Sequence, residues 1–549
     1  MDYKKLANLL YPNVTKDTSY YENLYKRRNL KENAQVTRIA PSPTGFLHIG
    51  TAYGAMIDKL TAGKDGAFYF RLEDTDKKRE QKNTGTIAYE MLKLFNLKPN
   101  EGYTGDGNEE IGDYGPYIQS NRLEIYNTYA KKLVEMGKAF PCFCEKPEGK
   151  EEVLERRKEQ LETNETILEK DPCRNLTLEE VEENLKNNKP FALRFKNEGD
   201  PNKTYKIKDL IKGEKEIREC CKDFVLIKND GIPPYAFAHA IDDHLMGTTI
   251  VVRGEEWFPS LSSHLALFDA LGFKHVNYAH TPVICKLDEN GNKRKLSKRK
   301  DPEADCRYFI KQGYPINALY EYLLNLANSD FEEWRKNNPM VDNSEFNFSI
   351  EKVGNNNPMF DIVKINDISK EIISKMTAEE VYEKTLSWAK EYDGEFYTYL
   401  LNNKQYAINI FAIDRYTNKP RKDIAKFSEV KNYYSYFFND EIDQVSQLPE
   451  NLKMEDMKNI ISSYSKIVFP LVEKQDWFNG VKSICEPLGF ASDMKAFKQN
   501  PNMYKGSVAD VSTVIRVVLT GRKNSPDLYE IIKLLDKKVI ERFNKFLGL

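Results

Sequence analysis

The stretch RIAPSPTGFLHIGTA, residues 38–52, places prolines and glycines between two regular patterns of the chain. The residues VTRIA are rich in β-branched side chains and predict a strand at 36–40. GTAYGAMIDKLTAG at 50–63 has the periodicity and closing glycine of a helix, and AFYFRLEDTD at 67–76 predicts a buried strand that runs into acidic residues. Strand, turn, helix and strand form a βαβ unit, so the sequence predicts an α/β fold with a parallel sheet and a right-handed crossover.

The composition changes several times along the 549 residues. Residues 1 to about 34 predict a polar helical extension. A Glu/Lys-rich helical pattern, EEVLERRKEQLETNETILEK, and the strand-like FALRFK lie between 141 and 222, and apolar strand patterns return at 223–257. We interpret 141–222 as an insertion between two segments of one sheet. After about residue 365 nearly every pattern is helical, which predicts a separate α-helical domain.

The composition also excludes several classes of protein. Hydrophobic content of 40% and charged content of 30% are typical of a globular chain, and no apolar stretch approaches the ~20 residues of a membrane helix. The N-terminal residues lack the apolar core and cleavage site of a signal peptide, so we expect a cytoplasmic protein. Eight cysteines do not make a disulfide framework and fit a reducing compartment. A net charge of -2 gives no general affinity for nucleic acid.

The Pro/Gly turn has the composition of a nucleotide-binding loop. Pro41 and Pro43 would fix the backbone, whereas Gly45 and Gly50 would let it approach a ligand closely. His48 would stand at the start of the following helix, where phosphate groups are favoured. A histidine at this position also has an ordinary structural interpretation, and the turn alone does not decide between the two.

A basic segment, NKRKLSKRK at 292–300, lies far downstream of the turn. By composition alone it is a solvated loop. Within it, two cations of KLSKR at 295–299 could neutralise the charge that develops when a carboxylate attacks the α-phosphate of ATP and pyrophosphate leaves. Turn and basic segment together therefore suggest activation of a carboxylic acid by ATP.

Four ordered motifs carry a resemblance to a known family. PSPTGFLHIGT resembles the HIGH signature and KLSKR the KMSKS signature of class I aminoacyl-tRNA synthetases. With RLEDTD and YAFAHAIDDHLMGTTIVVRGEEW between them, the chain resembles bacterial-type glutamyl-tRNA synthetases from about Val36 to its C-terminus. It departs from the common pattern at Thr51, the fourth position of HIGH, in the KLSKR spelling, and at His239, where many relatives carry asparagine.

The resemblance implies a Rossmann-type parallel-sheet catalytic domain with an inserted acceptor-stem domain, followed by an all-α anticodon-binding domain. We expect a monomer, and the role of the N-terminal extension is open. Trp388 and Trp477 are at least as suited to the core as to reading bases. The implied domains are the extension at 1–35, the catalytic halves at 36–140 and 223–285, the insertion at 141–222, the KLSKR loop and stem-contact region at 286–370, and the anticodon-binding domain at 371–549.

The implied reaction joins L-glutamate to tRNA-Glu through glutamyl-adenylate, with ATP and Mg²⁺ that arrives with it; charging of tRNA-Gln is left open. An anionic substrate side chain needs cations, and an α-ammonium group needs a carboxylate. By resemblance, the ATP-binding residues are Pro41, Thr44, Gly45, His48, Gly50, Thr51 and Lys298, and the catalytic ones are His48, Lys295 and Lys298. The glutamate-binding residues are Arg38, Ser42, Glu73, Tyr235, His239 and Arg253. Arg253 has an alternative as the ion-pair partner of Glu255 or Glu256.

The segment IDDH offers three groups that could bind a metal: Asp242, Asp243 and His244. The same residues could form an Asp-capped helix start. The resemblance implies instead that the segment shapes the active-site wall.

The cysteines Cys142, Cys144 and Cys173 fall where some relatives bind zinc. Tetrahedral zinc needs four ligands, and the candidate fourth position, Asn175, is a poor one. No histidine lies between Cys144 and His239. We therefore expect buried free thiols, no resident metal and less than one zinc per chain.

Other assignments compete with the implied reaction. Glutaminyl-tRNA synthetases usually carry β-barrels in place of the helical C-terminal half, and the short glutamyl-queuosine enzyme lacks that half. A catalytically silent paralogue that binds RNA or protein would not need His48, Lys298 and Arg253 intact. A nucleotidyltransferase could share the HIGH-like turn but would need neither the C-terminal helices nor the glutamate pocket.

Overall fold

The computed structural model describes residues 1–42, 46–75, 83–105, 109–144, 171–297, 299–467 and 473–549. The chain divides into a first unit, Met1–Tyr308 with Tyr320–Asp361, and a second unit, Phe309–Leu319 with Ile362–Leu549. None of the helices in these ranges combines the length and apolar character that crossing a bilayer requires.

All strands of the described residues lie in the first unit. They are β1 (Val36–Ile39), β2 (Ala67–Phe70), β3 (Glu101–Tyr103), β4 (Glu110–Ile111), β5 (Ala139–Cys142), β6 (Ala192–Phe195), β7 (Thr204–Asp209), β8 (Gly213–Arg218), β9 (Phe224–Ile227), β10 (Ile250–Gly254), β11 (Asn277–Thr281), β12 (Cys285–Leu287) and β13 (Lys293–Lys295). β1, β2 and β3 run parallel, and β4 adds an antiparallel edge. Every residue of β1 and β2 is buried, as expected for a parallel sheet that is covered on both faces.

The helix Ile49–Ala62 connects β1 to β2 and confirms the predicted βαβ unit. It begins directly after His48, whose Nδ1 accepts the N–H of Gly50 at 2.9 Å and so caps the helix. A Cβ at Gly50 would lie only 3.1 Å from that nitrogen, so glycine keeps the cap undisturbed. The helix ends at Gly63, whose φ of +64° glycine adopts without strain.

The predicted strand at 67–76 is shorter in the structure and ends at Phe70. The Arg71 N–H still donates to Ile39 O at 3.0 Å, but the Leu72 N–H donates to Tyr117 O at 2.9 Å. The Glu73 N–H in turn donates to Pro41 O at 3.2 Å, so hydrogen bonds to the β1 side continue past Phe70 as far as residue 73.

A second chain segment lies beside this sheet. β10 and β11 form a parallel pair, and the Thr249 N–H donates to Val36 O at 2.9 Å, so β10 begins beside β1. β10 and β11 form a two-stranded sheet of their own that this hydrogen bond places beside the sheet of β1–β4, and the division of one sheet by an insertion stays a prediction. Because β1 and β10 start side by side, their carboxyl ends reach the same edge.

Residues 139–227 contribute two antiparallel structures, which contain the predicted insertion at 141–222 and extend past both of its bounds. β5, β6 and β9 form one sheet, in which β6 confirms the strand predicted from FALRFK. β7 and β8 form a hairpin, and at its tip the Leu210 N–H donates to Tyr278 O of β11 at 2.9 Å. The helix predicted at 151–170 lies outside the described residues.

The remaining helices of the first unit pack around these sheets. They are Tyr3–Leu10, Thr18–Leu24, Thr84–Leu94, Leu123–Glu135, Leu178–Lys186, Tyr235–Leu245, Leu261–Leu271 and Asp330–Asn337. Leu178–Lys186 begins with a capping box between Thr177 and Glu180, as its Thr-x-x-Glu sequence predicts. Cys306–Gln312 and Ile316–Ala327 each contain residues of both units.

In the second unit, the described residues from 362 onward form helices and no strand, in accord with the predicted helical C-terminal half. Trp388 and Trp477 pack against its apolar core, and their Nε1–H groups donate to Lys311 O at 2.9 Å and Tyr464 OH at 2.7 Å. The helices are Ile362–Lys375, Ala378–Tyr392, Gly394–Asn402, Lys404–Ala412, Val430–Tyr433, Ser435–Phe438, Met454–Tyr464, Lys474–Ser483, Met494–Gln499, Val508–Thr520, Leu528–Leu535 and Lys538–Leu547.

The N-terminal extension is more tightly packed than its polar composition predicts. Leu6 and Tyr21 are buried in the core that includes the helix Leu123–Glu135. Arg28 then forms a bidentate ion pair with Glu101, at 2.6 Å for both contacts, and its Nε donates to Met246 O at 2.7 Å. The extension is therefore part of the first unit.

We expect Arg28→Met to lower the free energy of unfolding of the first unit by about 3 kcal/mol, because it leaves the Glu101 carboxylate largely buried without its cation. Lys31→Met is the matched control, since Lys31 pairs with Asp65 in water and exposed pairs contribute little. Urea unfolding of the full chain measures both. Similar small losses in the two variants would contradict a bracing role for Arg28.

Candidate active site

A cavity of about 580 Å³ lies at the carboxyl ends of β1 and β10. In open α/β sheets this edge is where ligands bind. Most of the site residues predicted from the sequence meet there. The lining includes Arg38, Pro41, Ser42, His48, Gly50, Thr51, Glu73, Tyr235, Arg253 and Lys295.

Of the two proposed catalytic lysines in the basic segment, the structure describes Lys295. Lys298 lies outside the described residues, as do Thr44 and Gly45 of the turn. Lys295 is the last residue of β13, and its Nζ lies 2.7 Å from Glu256 Oε1, with both side chains about half exposed. Lys295 thus already faces an anion at the mouth of the cavity.

His48 combines a structural role with a chemical one. Because its Nδ1 accepts the Gly50 N–H, the proton of the neutral ring sits on Nε2. Neutral His48 therefore carries an N–H that a phosphate oxygen could accept. The helix cap and the predicted phosphate contact use different nitrogens of one ring.

A cluster of buried charges lies beneath the cavity. Asp243 Oδ1 lies 2.6 Å from Arg71 Nη1 and 3.4 Å from Arg38 Nε, and Arg71 Nη2 donates to Glu73 Oε1 at 2.9 Å. Although burial opposes ionisation, Arg71, His239 and Arg38 hold the pKa of Asp243 well below its usual value. Burial raises the pKa of Glu73, against the pull of Arg71 and Arg38. Asp243 therefore neutralises two arginines.

The three polar residues of IDDH occupy separate places near the C-terminal end of their helix. Buried Asp242 accepts a hydrogen bond from Arg122 Nε at 2.6 Å, and partly exposed His244 lies 2.9 Å from Glu22 Oε1 through its Nε2. Asp243 belongs to the cluster described above. The suggested metal site and helix start are therefore both wrong for these residues.

Arg253 is the exception among the buried arginines of this site. Its Nε donates to His280 Nε2 at 3.0 Å and its Nη1 to His264 Nδ1 at 2.9 Å, whereas its buried Nη2 has no partner among the described residues. The alternative partners Glu255 and Glu256 pair with lysines instead. Among the described residues, no carboxylate forms an ion pair with this guanidinium.

Sequence reasoning missed His264, His280 and Asp209. His280 Nδ1 lies 2.6 Å from Asp209 Oδ2, at the end of β7 in the inserted region. No motif or periodicity links these residues. The one available sequence signal for this group was His280, a histidine next to the last residue of a strand, β11, whose end is buried.

His239 lies behind the cavity wall and is not part of the lining. It is fully buried, its ring stacks on that of Tyr235 with centroids 5.1 Å apart, and its Nδ1 lies 2.5 Å from Asp243 Oδ2. Burial lowers the pKa of His239 to about 4, against the pull of Asp243. The ring of His239 therefore contacts Tyr235 from behind and does not reach the cavity surface.

The cysteine cluster has a fourth ligand that the sequence did not suggest. One ligand atom each from Cys142, Cys144, Asp171 and Cys173 lies within 4.8 Å of the others. Cys144 and Cys173 Sγ are 3.4 Å apart, and Cys142 Sγ lies 3.4 Å from Asp171 Oδ2. The choice of Asn175 as fourth position was wrong, and Cys144 is exposed, contrary to the expected buried thiols. The two thiols of the C-x-C pair, the thiol of Cys173 and the carboxylate of Asp171 are ligand types that suit tetrahedral zinc.

Comparison with known proteins decides the family. The model described as "tRNA synthetases class I (E and Q), catalytic domain" matches residues 35–367. The chain belongs to this family of class I tRNA synthetases. Curated relatives named glutamate–tRNA ligase support the same placement: that of Acetivibrio thermocellus is 46% identical over 553 residues and that of Clostridium beijerinckii 44% over 556, each with 100% of both chains covered.

Solved structures of the family share the fold of the chain. A glutamate tRNA ligase from Elizabethkingia meningosepticum, in complex with its amino acid, aligns with a TM-score of 0.70 at 24% identity over 94% of this chain and 99% of that one. A glutamate-tRNA synthetase from Elizabethkingia anophelis gives 0.70 at 25% identity over 94% and 100%. The predicted α/β class and the class I synthetase resemblance are thereby confirmed, and ATP use follows from the family.

His239 generates a prediction about stability and pH. An unfolded histidine titrates near pH 6.5, whereas burial lowers the pKa of His239 to about 4, so between these values the unfolded chain binds a proton that the folded chain does not. Stability is therefore fully present above about pH 6.5 and falls as the pH drops towards 4. In His239→Asn this contribution is removed.

We expect the free energy of unfolding of the first unit to decline less between pH 7 and pH 5 in His239→Asn than in the wild type. Urea unfolding at a series of pH values measures the two slopes. Equal slopes would mean that the pKa of His239 in the folded protein lies close to its value in the unfolded chain.

Proposed function

We propose that the protein is a glutamate–tRNA ligase that converts L-glutamate and ATP to glutamyl-adenylate and transfers the acyl group to the 3′-terminal adenosine of tRNA-Glu. The observation that carries the proposal is Arg253, a buried guanidinium in the cavity whose Nη2 has no partner among the described residues. A buried cation without a counter-ion is costly. The side-chain carboxylate of glutamate is an anion that could supply one.

The same arginine accounts for the choice of glutamate over glutamine. An amide in the place of the carboxylate would leave Arg253 buried and uncompensated, which costs about 2–5 kcal/mol in comparable pairs. Since about 1.4 kcal/mol is tenfold in affinity, direct recognition can exclude glutamine. Arg38 is less suited to this task because Asp243 already neutralises it.

Other residues of the cavity would hold the main-chain groups of the substrate. Glu73 lines the cavity and offers a carboxylate for the α-ammonium group, while Arg71 keeps that carboxylate in place at 2.9 Å. Ser42 and Tyr235 add hydroxyl groups to the lining. In the proposed site, His239 acts through the ring of Tyr235.

ATP would bind along the Pro/Gly turn and the start of the helix Ile49–Ala62. Pro41, Gly50 and Thr51 line this side of the cavity, and His48 would donate its Nε2–H to a phosphate oxygen. Preorganised donors of this kind stabilise the charge that develops on pyrophosphate as it leaves. Thr44 and Gly45 extend the same turn in the proposal, Lys295 and Lys298 would neutralise the phosphates, and Mg²⁺ would enter with ATP.

The tRNA contacts are proposed from the family resemblance. The insertion would meet the acceptor end, the region after the basic segment the inner stem, and the helical unit the anticodon, where unstacked bases are read by stacking and edge hydrogen bonds. We propose a cytoplasmic monomer. Whether tRNA-Gln is a second substrate depends on the anticodon contacts and is part of the test.

The test is charging of tRNA-Glu and tRNA-Gln transcripts with labelled glutamate and ATP, with labelled glutamine in parallel. We expect glutamate on tRNA-Glu and no incorporation of glutamine. Glutamate on both transcripts would establish a non-discriminating enzyme. Transfer of glutamine, or of neither amino acid, would overturn the proposal.

Arg253→Gln separates the glutamate pocket from the ATP site. We expect it to raise the KM for glutamate at least tenfold, because the guanidinium that pairs with the carboxylate is lost, and to leave the KM for ATP within about twofold. Pyrophosphate exchange in the presence of tRNA-Glu measures both constants. An equal rise of the two would indicate a structural role for Arg253.

A second proposal concerns a structural zinc held by Cys142, Cys144, Asp171 and Cys173. Asp171 is fixed in place because its Oδ1 accepts the Cys173 N–H at 2.9 Å and its Oδ2 lies 3.1 Å from Arg194 Nε. Partners of this kind orient the ligands of a metal site. Zinc would join the end of β5 to the segment that carries Asp171 and Cys173.

We now expect about one zinc per chain in the purified protein, because four ligands of suitable chemistry converge. Elemental analysis measures the metal content, and Cys144→Ser should abolish it. Cys220→Ser, a substitution of a cysteine outside the cluster, is the matched control and should retain zinc. Absence of zinc from wild-type protein, with Cys144 and Cys173 reactive to thiol reagents, would overturn this site.

A further inference from the structure

The tip of the β7–β8 hairpin reaches the back of the proposed glutamate pocket. Asp209, the last residue of β7, is buried, and its Oδ1 accepts the N–H groups of Ile211 at 3.0 Å and Lys212 at 2.8 Å. Its Oδ2 accepts from His280 Nδ1 at 2.6 Å. Although burial opposes ionisation, these hydrogen bonds hold the pKa of Asp209 below its usual value.

The hydrogen bonds of His280 fix which ring nitrogen carries the proton. Arg253 Nε donates to His280 Nε2 at 3.0 Å, and a guanidinium can only donate, so this nitrogen must present its lone pair. The proton of the neutral ring therefore sits on Nδ1. Ionised Asp209 is an acceptor only and requires the same arrangement.

The orientation of Arg253 depends on this chain of contacts. With Nε bound to His280 and Nη1 bound to His264 Nδ1, the plane of the guanidinium is set by two rings. Nη2 is the corner of that plane that lacks a partner among the described residues. Tyr278 packs against the guanidinium, 4.8 Å from its ring centroid, and adds no acceptor in this plane.

We infer that Asp209 is a positioning residue for glutamate recognition: it holds His280 in the tautomer that accepts from Arg253 and thereby aims Arg253 Nη2 at the substrate carboxylate. The inference rests on the proposed function for the role of Arg253. It makes the glutamate pocket depend on a hairpin of the inserted region, remote in sequence from the HIGH-like turn and from the KLSKR segment.

Asp209→Asn tests the inference because asparagine has the same side-chain shape as aspartate but replaces one acceptor oxygen with an NH₂ donor. An asparagine amide must place its NH₂ either towards the Ile211 and Lys212 N–H groups or towards His280 Nδ1. The His280 backbone N–H, which lies 3.3 Å from Oδ1 and 3.2 Å from Oδ2, can still donate to the amide oxygen, whereas the imidazole would relieve its own conflict by moving its proton to Nε2. There the proton would face the Arg253 Nε–H, donor against donor.

We expect Asp209→Asn to raise the KM for glutamate about tenfold to a hundredfold, with the KM for ATP changed less than about twofold. Asp269→Asn is the matched control. Asp269 also pairs with a histidine, His275, at 2.8 Å and accepts from Tyr205 OH of the same hairpin, but it is exposed and lies outside the cavity lining. The control should leave both constants unchanged.

Asp209→Ala separates positioning from anchoring of the hairpin. Alanine removes the acceptor of the Ile211 and Lys212 N–H groups, so it should destabilise the fold more than asparagine does. It imposes no donor on His280, so its KM for glutamate should rise less. A KM effect that follows the loss of stability across the two variants would overturn the positioning role.

The tautomer can be read directly by nitrogen-15 NMR of histidine-labelled protein, since the chain has six histidines. We expect the His280 proton on Nδ1 in the wild type and on Nε2 in Asp209→Asn. This readout requires no activity: if wild-type protein fails to charge glutamate, the proposed function fails while the tautomer is still tested. A proton that stays on Nδ1, or an unchanged KM in an active enzyme, would overturn the inference.

Discussion

The site depends on one buried carboxylate, that of Asp243. It belongs to the second sheet-forming segment, yet it neutralises Arg38 and Arg71, which come from the first. Several buried cations so close together would repel one another without it. Asp243 therefore allows buried arginines from different chain segments to lie close together. Arg253 has no such carboxylate partner among the described residues, and in the proposed function the substrate would supply one.

Local patterns were enough to predict the framework of the first unit. The Pro/Gly turn between VTRIA and the following helix predicted a βαβ unit because strand, turn and helix signals are each short in range. The helix boundaries at His48 and Gly63 follow from a cap and a left-handed glycine. The motifs identified the family, and most of the site residues that they assigned meet in one cavity. The individual roles of these residues stay predictions.

The rest of the site could not be predicted because it depends on contacts between distant parts of the chain. Asp209, His264 and His280 have no common spacing, and only the folded hairpin brings the first to the third. The fourth position of the cysteine cluster was missed for a similar reason: proximity in sequence to Cys173 suggested Asn175, whereas folding presents Asp171. His239, a candidate ligand for glutamate, is buried behind Tyr235 and stacks on its ring, an arrangement that its sequence neighbours do not reveal.

The ion pair between Lys295 and Glu256 has a consequence for how nucleotide would enter. Lys295 already pairs with Glu256 at 2.7 Å, so a phosphate bound to Lys295 as proposed would have to displace that carboxylate. Entry then resembles ion exchange, in which the more highly charged competitor prevails. An exposed carboxylate holds its lysine weakly, and a triphosphate should win that contest where a singly charged anion would not.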